Sequence, residues 1–210
     1  HRLWDVAVTK DPAAFSKTFN CDACNERLST DQCERVMDES PDVFGHVTRR
    51  RRHVPVEVHG VTGKWKWSRP ATASDDAGLD RWSTIGVPDG APDQLIEWGE
   101  LRRSGYHAGL ERLHHFYTPR NFVAMATALK LAGEAPEDLA PALKLLALSY
   151  NASHSTLMTR VVAKTNQKDF ILTWAQSGVL YVSGLPVEKN IILGLARKAG
   201  VLRDAFALVH

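Results

Sequence analysis

The chain has 210 residues, 44% hydrophobic and 24% charged, with a net charge of +2, which supplies a real core and excludes a partner chosen by overall charge alone. No apolar run approaches the ~20 residues that span a bilayer, and no secretory signal opens the sequence. Three cysteines do not make a disulfide framework, so a reducing, cytoplasmic setting is expected.

Residues 1–20 read as a short hairpin, with Leu3, Trp4, Val6 and Val8 in a strand and "TKDPAA" as a turn. "CDAC" follows. Its spacing lets Cys21 and Cys24 present two thiolates to one zinc ion, and a tetrahedral site then needs two more ligands. Cys33, His46 and His53 are candidates, none at regular spacing; plain or redox-active thiols are the alternative. Ser29 and Gln32 form a capping box that predicts a short helix over "STDQCERVMDE". Residues 41–70 are basic: Arg49, Arg50, Arg51, Arg52, Lys64, Lys66 and Arg69 stand against Asp42 and Glu57. Alternating Val54, Val56 and Val58, a turn at "HGVTG" and a return through "KWKW" predict a β-hairpin. Guanidinium forks suit phosphate oxygens. On the return strand Lys64 and Lys66 share one face, Trp65 and Trp67 the other. The indoles either stack on bases or cover a small core.

Residues 71–113 read as loops with one short helix near "PDQLIEWGELRR". His114 and His115, taken as strand residues, point to opposite sides, which favours structural roles over a shared metal. "TPRNFVAMATALKLAG" predicts a helix with Thr118 as N-cap, Pro119 first and Gly at its end. Arg120 and Asn121 fall in its first turn, where free N–H groups favour an anion; capping and packing are the competing roles. "PEDLAPALKLLALSYNA" predicts a second helix with Leu139, Leu143, Leu146 and Tyr150 on one face. "GVLYVSG" reads as a short buried strand, and "PVEKNIILGLARKAG" as a third helix opened by Pro and closed by Gly. The expected class is α+β: a strand-rich zinc-knuckle and hairpin region over 1–70, a loop-rich connector over 71–113, and a helix-rich region over 114–210. No G-x-S-x-G or Walker loop is present. The sequence starts at His1 and stops in apolar "AFALVH", which reads as a segment of a longer protein.

Four stretches in order, "LWDVAV", "FNCDACNERL", "HHFYTPRNFVAMATAL" and "GVLYVSGLPVEKNI", resemble the middle of bacterial and archaeal DNA amino-methyltransferases that modify adenine N6 or cytosine N4. In those proteins the pieces read W-D-hydrophobic, C-P-x-C-G, an aromatic-T-x-R-N-L helix start and G-x-L-Y-I-x-S-L-x-x-E-x-N. Here "CDACN" departs at two places, and Asn25 replaces the knuckle glycine; Asn tolerates the left-handed conformation such a turn requires. The F-x-G-x-G loop for S-adenosylmethionine and the D-P-P-Y motif are not in this sequence. The resemblance places them before and after this region. It therefore implies a target-recognition segment, not itself catalytic, of a larger α/β S-adenosylmethionine-dependent enzyme. Its partners would be double-stranded DNA and the remainder of that enzyme. Cys21 and Cys24 would hold half a zinc site. Arg49 to Arg52, Lys64 and Lys66 would grip the backbone, Trp65 and Trp67 would stack or wedge, and Arg120 and Asn121 are further phosphate candidates. A zinc-ribbon interaction module without enzymatic neighbours is the alternative. A metal-dependent hydrolase built on His114 or His115 lacks a carboxylate at motif spacing.

Overall fold

The computed structural model describes residues 2–3, 18–29, 32–81, 85–162, 172–175, 180, 182 and 186–209. Strand and helix are both present, in an α+β arrangement whose strands, among the described residues, form two-stranded sheets. β1 (Arg2–Leu3) pairs in parallel with β4 (Glu34–Arg35), and β2 (Thr18–Asn20) pairs antiparallel with β3 (Arg27–Ser29) around the Cys21–Cys24 turn. β5 (Met37–Pro41) pairs with β6 (Val47–Arg51), and β7 (Glu57–Thr62) with β8 (Trp65–Pro70). The expected strand over Trp4, Val6 and Val8 lies outside the described residues, as does most of "GVLYVSG"; of the latter, Val182 is buried and Leu180 is exposed.

The helix expected from Ser29 is not formed. The Gln32 side chain does accept the Ser29 N–H at 2.7 Å, half of the expected box. The chain then turns into β4 and β5, so a local cap was overridden by strand pairing with β1 and β6. The valine–tryptophan hairpin is present, but its outgoing strand begins at Glu57, leaving Val54 and Val56 outside it, and its turn comes later than "HGVTG" suggests. His59, Gly60, Val61 and Thr62 are ladder residues, and the two-residue turn is Gly63-Lys64. Gly63 has φ +61°, as the first central residue of a type II′ turn requires. Gly60 faces Trp67 across the ladder, and a Cβ there would fall 2.1 Å from the indole ring. The missing side chain is what lets Trp67 lie flat on the opposite strand.

α1 (Ala73–Asp80) is tied to β8 by Arg69, which grips both oxygens of Asp75 at 2.7 and 2.9 Å. The connector thus holds α1, where only loop was expected, and its expected short helix is a single turn, α2 (Glu100–Arg103). α3 (Pro119–Gly133) matches its expected limits, and its Thr118 side chain accepts the Asn121 N–H. α4 (Ala140–Tyr150) continues into a wide turn over Asn151–Ser155. β9 (Thr159–Val162) and β10 (Leu172–Ala175) follow as an antiparallel pair. α5 (Ile191–Val209) starts later than its proline implies and runs through Gly200. Asn190 is the residue that caps it, accepting the Leu193 N–H at 3.1 Å.

Among the described residues two apolar clusters result. Leu110, Phe116, Leu157, Met158 and Val182 form one, joining the connector to the helical region. Met125, Tyr150 and Ile191 form the other, between α3, α4 and α5. The α4–α5 contact depends on Gly194, where a Cβ would fall 1.9 Å from the Tyr150 hydroxyl oxygen. Gly194→Ala is expected to destabilise the protein by about 1–3 kcal/mol, overpacking outweighing the ~1 kcal/mol that alanine gains in a helix. Gly200→Ala, with nothing within 4 Å of its Cβ, is expected to be neutral or stabilising. Urea midpoints of the two variants check the contrast.

Candidate functional site

The centre of the polar architecture is Asp42, in the turn between β5 and β6. Its Oδ1 accepts the N–H groups of Phe44 and His46, each at 2.9 Å, an Asx turn closed by Gly45 at φ +84°. That fixes the carboxylate and turns Oδ2 inward. His114 Nε2 lies 2.9 Å from Oδ2, His115 Nε2 3.5 Å and His46 Nδ1 3.4 Å. The carboxylate of Asp42 is fully shielded from solvent, and the rings of His114 and His115 almost so. Phe44 and Phe122 pack against His114, with centroids 4.9 and 5.5 Å away, and keep water from it.

Both histidines reach one carboxylate because Leu113–Phe116 is a 3₁₀ turn rather than a strand. Consecutive side chains of such a turn diverge by about 120° instead of 180°. The two rings meet edge to face at 4.5 Å. The opposite-sides expectation failed on that point. The carboxylate partner was also out of sight in the sequence, since Asp42 lies 72 residues from His114. The described residues thus contain a grouping that can hold a metal ion, with one ligand atom each from Asp42, His114 and His115 within 4.8 Å of one another. It is not the cysteine pair.

Electrostatics follow the burial. Asp42 is pushed up by burial, but the hydrogen bond from His114 and the N–H groups of His46 and Phe44 outweigh this and bring its pKa down to about 2. His115 is lowered to about 4, chiefly by burial and then by His114 and Arg50, against the pull of Asp42. His114 is lowered by burial, against the hydrogen bond to Asp42. Beyond it stands Asp93, whose Oδ1 is 3.6 Å from His114 Nδ1 and is held by Arg112 at 2.9 Å.

Cys21 and Cys24 sit in a turn closed by two backbone bonds, Asn25 N–H to Cys21 O at 2.7 Å and Cys21 N–H to Glu26 O at 2.9 Å. Asn25 has φ +57°, the left-handed conformation expected of the residue after the pair. The N–H groups of Ala23 and Cys24, then the Cys24 thiol, lower the pKa of the Cys21 thiol. These features suit half of a zinc knuckle. Among the described residues no third ligand group joins the pair, and the Cys33 thiol instead faces the Ser29 carbonyl at 3.5 Å.

The arginine run does not act as one surface. Arg49 is exposed, opposite Glu39 in the ladder. Arg50 donates to Ser40 Oγ and the Pro41 carbonyl, both at 2.9 Å. Arg51 is buried, donating to the carbonyls of Ala108 and Tyr106 at 2.6 and 2.5 Å. Arg52 is 3.6 Å from Asp38. Arg120 donates from Nε and Nη2 to the two carboxylate oxygens of Glu188, and buried Asn121 donates to the carbonyls of Ser155 and Lys189 at 3.2 Å. Lys64, Trp65, Lys66 and Trp67 sit on a different hairpin from the arginines. There Trp65 is 80% exposed and Trp67 43%, so neither indole covers a core.

Comparison of the chain with protein-family models, with curated proteins and with solved structures finds no match. Among the described residues no helix is long and apolar enough to cross a membrane.

Proposed function

We propose that the chain is a nucleic-acid-recognition segment acting within a larger S-adenosylmethionine-dependent DNA amino-methyltransferase. The reading rests on the sequence resemblance and on one observation, the tip of the β7–β8 hairpin. There an indole four-fifths exposed stands between Lys64 and Lys66, both exposed. An indole left in water costs stability unless something covers it. Cations neutralise phosphates while an aromatic face stacks on a base or wedges at a step. Arg49 adds an exposed cation from the neighbouring hairpin. Arg50, Arg51, Arg52, Arg120 and Asn121 serve chiefly to brace the scaffold through the bonds described above. The Cys21–Cys24 turn supplies half of a zinc staple for the first hairpin, and the methyl-transfer chemistry belongs to parts of the enzyme beyond this segment.

Each phosphate contact contributes about 0.9 to the log–log salt slope of duplex binding. Replacing Arg49, Lys64 and Lys66 together with Gln is expected to flatten that slope by roughly two to three. Trp65→Ala is expected to weaken binding by about 1–3 kcal/mol if its ring stacks on a base, with no loss of folding stability. Salt titrations of duplex binding read both; an unchanged slope removes the hairpin tip from the interface.

A further inference from the structure

We propose that Asp42, His114 and His115 form a binding site for a zinc-class divalent metal ion, separate from the cysteine turn and independent of the nucleic-acid reading. Three observations carry it. The ligand atoms converge: a tetrahedral zinc site with bonds of 2.0–2.1 Å has ligand–ligand edges of ~3.3 Å, and Asp42 Oδ2 lies 2.9 and 3.5 Å from the two imidazole nitrogens. The site holds buried nitrogens with no hydrogen-bond partner, His115 Nε2 and His114 Nδ1; the first points toward Asp42 Oδ2 from a side chain 1% exposed. The outer shell is prepared on the His114 side. With Nε2 on a metal, its Nδ1–H faces Asp93 Oδ1 at 3.6 Å, and Asp93 is itself held by Arg112. A carboxylate behind the ligating imidazole fixes the tautomer and raises its basicity.

Mixed imidazole and carboxylate donors suit zinc and its neighbours better than calcium or magnesium, which prefer oxygen throughout. His115 also lines a cavity of about 310 Å³. Loading carries a structural cost at this residue. His115 Nδ1 accepts the N–H groups of Glu111 and Arg112 at 3.1 and 3.4 Å, so the metal-free ring keeps its proton on Nε2. Coordination moves that proton to Nδ1 and takes the acceptor away from the Glu111 N–H. The 3₁₀ turn must loosen as the metal enters.

Cobalt(II) tests the site, because thiolate ligation adds a near-ultraviolet charge-transfer band that nitrogen and oxygen ligands do not. Chelator-treated protein carrying Cys21→Ser and Cys24→Ser is titrated with cobalt chloride. One bound equivalent without the sulfur band is expected, with faster amide exchange at Glu111 on loading. His115→Gln keeps an acceptor for the cap, since Gln serves at the third position of a capping box. It is expected to retain the circular dichroism spectrum and bind cobalt at least about tenfold more weakly, as loss of a ligand or its support does. No binding by the double cysteine variant overturns the proposal. So does undiminished binding by His115→Gln.

Discussion

Asp42→Ala is expected to destabilise the protein by about 3–5 kcal/mol, the range for breaking a buried charged network by removing one partner. The carboxylate is fully shielded and carries its own turn, through Phe44 and His46, together with the ring of His114. Without it, two backbone N–H groups and an imidazole lose their acceptor inside the protein, and each such loss costs about 1–3 kcal/mol. Asp42→Asn separates charge from shape. Its carbonyl oxygen still takes the two N–H groups, and the remaining loss, at His114, is about 1–3 kcal/mol. Urea unfolding at constant slope reads the series. The expected order is wild type, then Asn, then Ala; an alanine variant within about 1 kcal/mol of wild type, well short of a broken buried network, would remove Asp42 from the centre of the fold.

How much of this was legible differs by element. The α3 helix was readable because Thr118, Pro119 and Gly133 punctuate it locally, and local chemistry is what a sequence displays. The β7–β8 hairpin was readable for the same reason, apart from its start, which leaves Val54 and Val56 outside the ladder, and its turn, where two glycines competed and only Gly63 takes positive φ. The Ser29 helix was misread because its capping signal is real but weaker than the strand pairings that surround it. The left-handed Asn25 after the cysteine pair was anticipated from the resemblance, which puts a glycine there, together with the tolerance of Asn for that conformation.

The cluster around Asp42 was not legible. A sequence shows spacing, and this site is assembled from a turn at Asp42, a 3₁₀ turn at His114 and His115, and Asp93 in the connector. The only cue was the adjacent histidine pair, and strand geometry was the wrong frame for it. The arginine run misled in the opposite sense. Four cations in a row suggest one basic surface. In the ladder, Arg49, Arg50 and Arg51 face Glu39, Asp38 and Met37, so the acidic strand β5 was written opposite the basic strand β6. Arg51 shares a strand face with exposed Arg49 and is buried because the Tyr106–Ala108 segment covers that end of β6 and accepts its guanidinium bonds.

Acid is expected to destabilise the metal-free protein in two steps, and the upper one belongs mainly to His115. Its pKa falls to about 4 from an ordinary 6.5, by burial first and then by the positive charges of His114 and Arg50, with Asp42 opposing. The folded state therefore prefers the neutral ring, while the unfolded chain accepts the proton. That preference stabilises the fold in full above pH 6.5 and is lost as the pH falls toward 4. At 1.36 kcal/mol per pH unit the loss is about 3 kcal/mol; His114 is lowered in the same sense. The lower step is that of Asp42, brought from 3.8 to about 2: its contribution holds above pH 3.8 and disappears as the pH drops through 2. His115→Gln keeps an acceptor for the Arg112 N–H at the start of the 3₁₀ turn but cannot titrate. In urea unfolding with chelator present, it is expected to flatten the dependence between pH 6.5 and 4 and leave the acid limb below it. If the variant keeps the wild-type slope over that interval, the buried imidazole is not the group that acid strikes first.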